Sequence, residues 1–472
     1  MQSDDPIWWP AHRVAAAIAA RTMSAREYLD ELLARVDRYN DRLNLVVTID
    51  ERARDRAREA DEAVVRGEPL GPLHGVPMTV KDCLATAGLT TTGGMEQLAR
   101  YVPRADAGSV AALRRAGANI FGKTNLPAGS ADLQSYNDLF GVARNPWNPA
   151  YTTGGSSGGA CGAVAAGFTP LELGSDVAGS IRVPAAFCGV LGHKPSFGLV
   201  PMTGHVPPFP YRVTPPDLAV IGPIARCVED LELTLGVLAG PHPMDRPGWQ
   251  VSLPPARPIR RVAIWSDDPY CPVDREVREA VEAAGARLAA AGVTVEPARP
   301  SGIRLAASDK VFRRLLAGAG SRAGATGAQF AAEFVEQSYQ EWLDADDRRA
   351  RLREYWKQFF AQYDALLLPV APNVTIPHDL RPFAERQVLI DGVARPYWDQ
   401  LVWAGLTGVG HLPSTVVPVG HDSRGLPIGV AVASDYLLDR TALAAARMLA
   451  GVSEPPGHPD LDLMLTAGGV AR

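Results

Sequence analysis

Three short stretches combine glycines, hydroxyls and a lysine in ways that can support chemistry. Thr152-Thr153-Gly154-Gly155-Ser156-Ser157-Gly158-Gly159 sets four glycines and four hydroxyls ahead of a small-residue helix expected over residues 160–166. A helix N-terminus favours developing negative charge, and glycine admits backbone conformations and close approaches that a side chain blocks. Further along, Gly174-Ser175-Asp176-Val177-Ala178-Gly179-Ser180-Ile181-Arg182-Val183-Pro184 leads through small residues to a serine. The proline that follows suits the first turn of another helix. Such a stretch can aim several backbone N–H groups at one point beside a hydroxyl, which is an oxyanion hole with its nucleophile. Far upstream, Lys81 follows an apolar strand over residues 76–80. A buried lysine sheds its proton readily and then serves as a base.

Lysine is scarce: Lys81, Lys123, Lys194, Lys310 and Lys357 are the five among 47 basic residues, and the rest are arginine. Scarcity alone assigns no role. Lys123 lies in Gly117-Ala118-Asn119-Ile120-Phe121-Gly122-Lys123-Thr124, which fits the phosphate-loop pattern letter for letter. A phosphate cradle needs a strand before the first glycine and a helix opening at the lysine. Here residues 109–116 read as a helix, residues 119–121 are themselves strand-like, and Pro127 follows, so a buried strand and turn is the better reading. Gly155-Ser156-Ser157-Gly158-Gly159 also satisfies the hydrolase elbow G-x-S-x-G. That motif needs a hydrophobic strand running into it, whereas residues 148–153 read as loop. A serine–histidine triad would draw on His193, His205, His378, His411 or His421, and the sequence leaves that alternative open.

Gly154–Gly159, Gly174–Arg182 and Met78-Thr79-Val80-Lys81-Asp82 together resemble the amidase signature family. The likeness extends to residues 14–47, to Gly122–Asn125 and to Gly425–Gly429, so it spans nearly the whole chain. It implies an α/β fold, with a central mixed, twisted β-sheet covered by helices on both faces. It also implies a Ser–Ser–Lys triad. Ser180 would attack the carbonyl and become acylated, while Ser156, in a cis peptide, relays the proton to a neutral Lys81. The N–H groups of Val177, Ala178, Gly179 and Ser180 would hold the oxyanion, and Asp176 and Arg182 would brace the loop. Two positions depart from the family pattern. Ala178 stands where Gly-Gly usually precedes the nucleophile, and His193 replaces a usual leucine and is expected to be packed or hydrogen-bonded. No cofactor is implied.

The elements that position these residues are partly legible. Residues 11–66 read as mostly helical, with Ser24 and Glu27 forming a capping box and Tyr28, Leu29, Leu32, Leu33 and Val36 on one face. From about 70 to 240, glycines and strand-like pieces alternate with helices, the texture of a sheet covered by helices. Six prolines between 240 and 260 mark an excursion. Residues 261–265 read as a buried strand, followed by a helix to 291 and a strand over 293–296. Residues 305–363 read as helical, and 365–368 and 414–419 as core strands. The expected organisation is a single amidase domain over 1–472, with a catalytic core at about 65–240. A smaller elaboration at about 241–400 returns to the same sheet, and a flexible tail follows from about 453.

The chain has 472 residues, 46% of them hydrophobic, and a net charge of −5. That excludes wholesale disorder and gives no basic field for nucleic acid. Five cysteines form no C-x-x-C pair, and no two histidines stand at metal-ligand spacing, so neither a disulfide framework nor a metal site is expected. No signal peptide or uncharged run of about 20 apolar residues is visible, which points to a cytoplasmic protein that does not engage the membrane, a monomer or homodimer. Gly154, Gly155, Met202, His205, Phe209, Tyr211 and Trp398 are the candidate substrate-binding residues. Their aromatic content suits a pocket for bulky acyl or aryl amides, anilides or carbamates. The expected function is therefore a stand-alone amide or carbamate hydrolase. The alternatives are the glutaminase subunit of a tRNA-dependent amidotransferase and a Ser–His esterase.

Overall fold

The computed structural model describes residues 5–206, 216–320 and 337–466. In chain order the first half contains α1 (Ala11–Ala19), α2 (Ala25–Leu43), β1 (Val46–Ile49), α3 (Ala53–Val65), β2 (Pro77–Lys81), α4 (Gly108–Arg115) and β3 (Asn119–Thr124). It continues with the short pair β4 (Tyr136–Asn137) and β5 (Gly141–Val142), then α5 (Gly158–Ala165), β6 (Leu171–Asp176), α6 (Arg182–Cys188), β7 (Leu191–Lys194), β8 (Val220–Ala225) and α7 (Val228–Leu238). The second half contains β9 (Arg261–Ile264), α8 (Arg275–Ala290), β10 (Thr294–Pro297), α9 (Leu305–Gly320), α10 (Tyr339–Phe360), β11 (Ala365–Pro369) and the hairpin β12 (Gln387–Ile390) and β13 (Val393–Pro396). It closes with α11 (Val402–Val409), β14 (Ser414–His421), β15 (Pro427–Ala433), α12 (Asp439–Val452) and α13 (Leu461–Thr466).

Eleven strands form one mixed sheet in the order β1-β3-β2-β6-β8-β7-β14-β15-β11-β9-β10. Alternation along its inner strands shows how it is covered, because successive strand side chains face opposite sides. Leu367, Val417, Val419, Val430 and Val432 join one apolar cluster, together with Val14 of α1, Leu113 of α4, Leu235 of α7, Leu288 of α8 and Leu443 of α12. Leu366, Leu368, Val416 and Ala431 join the other, with Val164 of α5, Phe187 of α6, Phe312 of α9, Trp356 of α10 and Leu406 of α11. The protein is thus α/β, a mixed sheet with helices on both faces. Strands buried on both sides read as unbroken apolar runs, as Leu366-Leu367-Leu368 does.

The Ser24–Glu27 capping box forms at the start of α2 as expected. The stretch read as mostly helical also contains the edge strand β1, which pairs antiparallel with β3. Gly122-Lys123-Thr124 is the end of β3 rather than a turn, and the phosphate-loop match is the turn after α4 followed by a buried strand. Asp230 of α7 accepts the Ala11 and His12 N–H groups at 2.6 and 2.9 Å, and Trp8 just upstream stacks on His458, so both ends of the described chain meet. Among the described residues no helix is long and apolar enough to cross a membrane.

Candidate active site

Two parallel strands end side by side at the site. β2 and β6 pair with Thr79 opposite Glu172 and Val80 opposite Leu173. Lys81, the last residue of β2, therefore comes level with the last residues of β6, where Ser175 and Asp176 stand. The carboxyl ends of parallel strands are where loops and helix starts converge in open α/β sheets.

Lys81 is wholly buried, with Nζ 2.6 Å from Ser156 Oγ and 3.1 Å from Ser175 Oγ. Both partners are neutral hydroxyls, and burial pulls the Lys81 pKa below its ordinary value. The nearby Asp176 carboxylate is engaged elsewhere. Its two oxygens take the Arg182 guanidinium at 2.8 and 2.9 Å, the Gly179 N–H at 2.8 Å and the Ile181 N–H at 3.0 Å. Burial would raise the Asp176 pKa, but the Arg182 charge and its hydrogen bonds outweigh this and hold the group well below the usual carboxylate range. Arg182 in turn donates to Ala404 O and Thr407 Oγ1 at 2.7 and 2.8 Å, which locks the 177–180 loop to α11.

Ser156 follows a cis Gly155–Ser156 peptide in the buried loop leading to α5. Ser135 Oγ donates to Gly154 O at 3.1 Å and accepts the Gly158 N–H at 3.0 Å. A side chain at Gly159 would collide with the Asn125 backbone, so glycine lets α5 begin this close to β3. Ser157 N–H donates to Ser180 O at 3.0 Å, which ties the two serine loops together.

Ser180 is 8% exposed, against 0% for Lys81 and 1% for Ser156, the least enclosed of the three expected catalytic residues. Its Oγ forms no hydrogen bond with Ser156 Oγ in this structure; the contact made is Lys81–Ser156. Among the described residues the N–H groups of Val177, Ala178 and Ser180 have no acceptor, as an oxyanion hole requires. Gly179 is a correction to the expected set of four donors. Its N–H is spent on Asp176, and its φ of 109° gives it a conformational role instead. The left-handed backbone falls on Gly179 and not on Ala178, which is why the methyl at 178 is accommodated.

The expected pocket residues do not all converge. Gly154 and Gly155 pack against the Pro184 and Leu133–Gln134 backbones. Met202 is buried in the first apolar cluster. Trp398 contacts α9, its indole N–H donating to Asp309 at 3.3 Å and its ring lying under the Arg313 guanidinium. Phe209 and Tyr211 lie outside the described residues. His205 does reach the surroundings of Lys81, with Nε2 3.0 Å from Ser175 Oγ. Ser175 itself went unassigned in the sequence; only the parallel register of β2 and β6 identifies it as the second partner of Lys81.

Among the candidate histidines, His205 meets Ser175, whereas Ser156 and Ser157 are held by other partners. Ser157, the serine of the elbow-like match, donates to Ser175 O at 3.2 Å. His193 is buried with its ring nitrogens 2.9 Å from Thr415 Oγ1 and 3.2 Å from Asp439, packed and bonded as expected. Sequence spacing also hid one cluster of metal-ligand type, in which donor atoms of His12, Cys227 and Asp230 lie within 4.8 Å of one another. The Asp230 oxygens there accept the α1 N–H groups and contact His12 Nδ1, so this cluster joins α1 to α7.

Residues 27–443 match the family model described as Amidase. The chain is 32% identical to an acylamidase of Rhodococcus erythropolis, covering 93% of this chain and 94% of that one. It is also 32% identical to a glutamyl-tRNA(Gln) amidotransferase subunit of Thermosynechococcus vestitus, covering 91% and 95%. Among solved structures, a bacterial aryl acylamidase of the amidase signature enzymes superposes with a TM-score of 0.83 at 25% identity, covering 98% and 99% of the two chains. A 6-aminohexanoate cyclic dimer hydrolase with bound substrate gives 0.80 at 25% identity, covering 97% and 99%.

Proposed function

The chain belongs to the amidase family, and on that premise we propose that it is a stand-alone hydrolase of amide C–N bonds acting through an acyl-enzyme on Ser180. The observation that carries this reading is the 2.6 Å contact between the buried Lys81 and Ser156. Neutral Lys81 accepts the Ser156 proton as Ser156 accepts that of Ser180, and Ser180 Oγ attacks the substrate carbonyl. The oxyanion faces the N–H groups of Val177, Ala178 and Ser180, each worth about 10²–10³ in rate in sites of this type. The protons return through Ser156 to the departing nitrogen. Water then attacks the ester by the same relay, releasing the acid and restoring Ser180.

Aryl amides and anilides are the proposed substrates, carbamates and esters being further candidates. Support comes from the acylamidase relative and from the aryl acylamidase superposition. A second reading, glutaminase action within a complex, is supported by the amidotransferase relative at the same identity. The purified chain, assayed alone on an anilide, a carbamate, an ester and glutamine, separates these. We expect anilide hydrolysis without a partner, reduced about 10²–10⁴-fold in Lys81→Ala. Full activity in Lys81→Ala overturns the triad. Glutamine turnover that needs an added partner favours the second reading.

A further inference from the structure

Ser175 stands between two groups that compete for its hydroxyl. Its Oγ lies 3.1 Å from Lys81 Nζ on one side and 3.0 Å from His205 Nε2 on the other. All three side chains are buried. His205 arrives from the far side of the β2 end, where Leu84 bridges to it antiparallel and its N–H donates to Met202 O at 3.2 Å. A hydroxyl has one hydrogen to give and can accept as well. Where that hydrogen points decides what Lys81 meets. If it points at Lys81, it occupies the amine lone pair that Ser156 must reach. If it points away, Ser175 offers Lys81 only a lone pair, and an N–H of Lys81 donates to it.

Resting on the triad reading above, we propose that His205 is a positioning residue that accepts the Ser175 hydroxyl hydrogen at Nε2 and so keeps the Lys81 lone pair turned toward Ser156. The resulting chain runs Ser156 O–H to Lys81 Nζ, Lys81 N–H to Ser175 Oγ, and Ser175 O–H to His205 Nε2. Ser175 then both accepts and donates, and the Lys81 lone pair is left to Ser156, the kind of ordering a buried hydrogen-bond chain provides. Without the imidazole, the Ser175 hydrogen has Lys81 Nζ and Cys83 Sγ (3.5 Å away) as its remaining partners in the cluster.

A rival role is that of a cation. Burial would raise the Cys83 thiol, but His205 and Lys81 beside it draw its pKa down to about 6. A histidine serving there by its charge could not be replaced by a neutral acceptor. A third role is the pocket wall expected from the sequence, in which case the loss would fall on KM.

His205→Gln retains an acceptor, whereas His205→Leu fills similar space without one. With an anilide at saturation, we expect His205→Leu to lower kcat roughly tenfold at unchanged KM, the scale of one hydrogen bond lost from the relay. His205→Gln should retain most of the parental kcat. Ser175→Ala removes the competing hydroxyl itself, so adding His205→Leu to Ser175→Ala should cost nothing further, since His205 acts through Ser175. Equal losses in Gln and Leu, multiplicative losses in the double variant, an effect confined to KM, or parental kcat in His205→Leu would each overturn the proposal. Lys81→Ala run alongside keeps the two claims apart. If it is active, the triad reading fails; if it is inactive while His205→Leu is fully active, only the role of His205 fails.

Discussion

Three of the five lysines are enclosed by the protein, and each is held by a different set of oxygens. Lys123 donates to Leu84 O, Thr86 Oγ1 and Thr91 Oγ1 from β3, and burial lowers its pKa to about 8. Lys194 bonds Pro195 O at 3.0 Å and is lowered to about 7 by burial, with the Arg182 charge adding to the effect. Lys81 alone faces the two hydroxyls of Ser156 and Ser175. The scarcity of lysine pointed to all three, and only the neighbours separate them. What keeps a carboxylate from capturing the Lys81 proton is Arg182, which engages Asp176 through both of its oxygens. Arg182→Met would leave Asp176 buried with backbone donors alone, a change that costs about 3–5 kcal/mol when one partner of a buried pair is removed. We expect a lower urea midpoint in Arg182→Met together with lost turnover, as the loop detaches from Ala404 and Thr407. A parental midpoint would show that the pair does not hold the loop.

At the scale of elements, what was legible depended on local signals. The capping box of α2, the apolar run of β11 and the glycine loop before α5 were each readable because their cause lies within a few residues. β1 was missed because it is four residues long and owes its existence to β3, about seventy positions away. The hairpin β12–β13 carried its own signal, the Asp391-Gly392 turn with φ of 47° and 79°, between strands whose outward Leu389 and Val393 disguise the pattern. Lys81, Ser156 and Ser180 were legible as motifs, yet Ser175 and His205 were not assigned their places. Their positions follow from the parallel register of β2 with β6 and from the bridge of Leu84 to His205, which no local spacing encodes.

Across the whole molecule, chemistry and cohesion occupy opposite ends of the sheet. β8 runs antiparallel to β6, with Ala225 beside Leu171, so α7 begins at the end away from Ser175 and Asp176. There Asp230 gathers the start of α1 and His12, holding the N-terminal helix to the body. Asp230→Asn should lower thermal stability by about 1–3 kcal/mol, the usual range for a buried acceptor left imperfectly matched, at unchanged kcat. A large fall in kcat measured well below the melting temperature would contradict this separation. The central claim concerns the other end: Ser180 is acylated with a neutral Lys81 as the ultimate base. Burial depresses the Lys81 pKa, so the amine carries a proton at low pH and loses it as pH rises, and the acylation rate must rise with it. The direct measurement is the rate at which a fluorophosphonate modifies Ser180, read by mass spectrometry of the Ser180 peptide across a pH series. A lysine base predicts a rate climbing with pH in the parent, a slow and flat profile in Lys81→Ala, and no modification in Ser180→Ala. Modification persisting in Ser180→Ala, or a parental rate indifferent to pH, would contradict it.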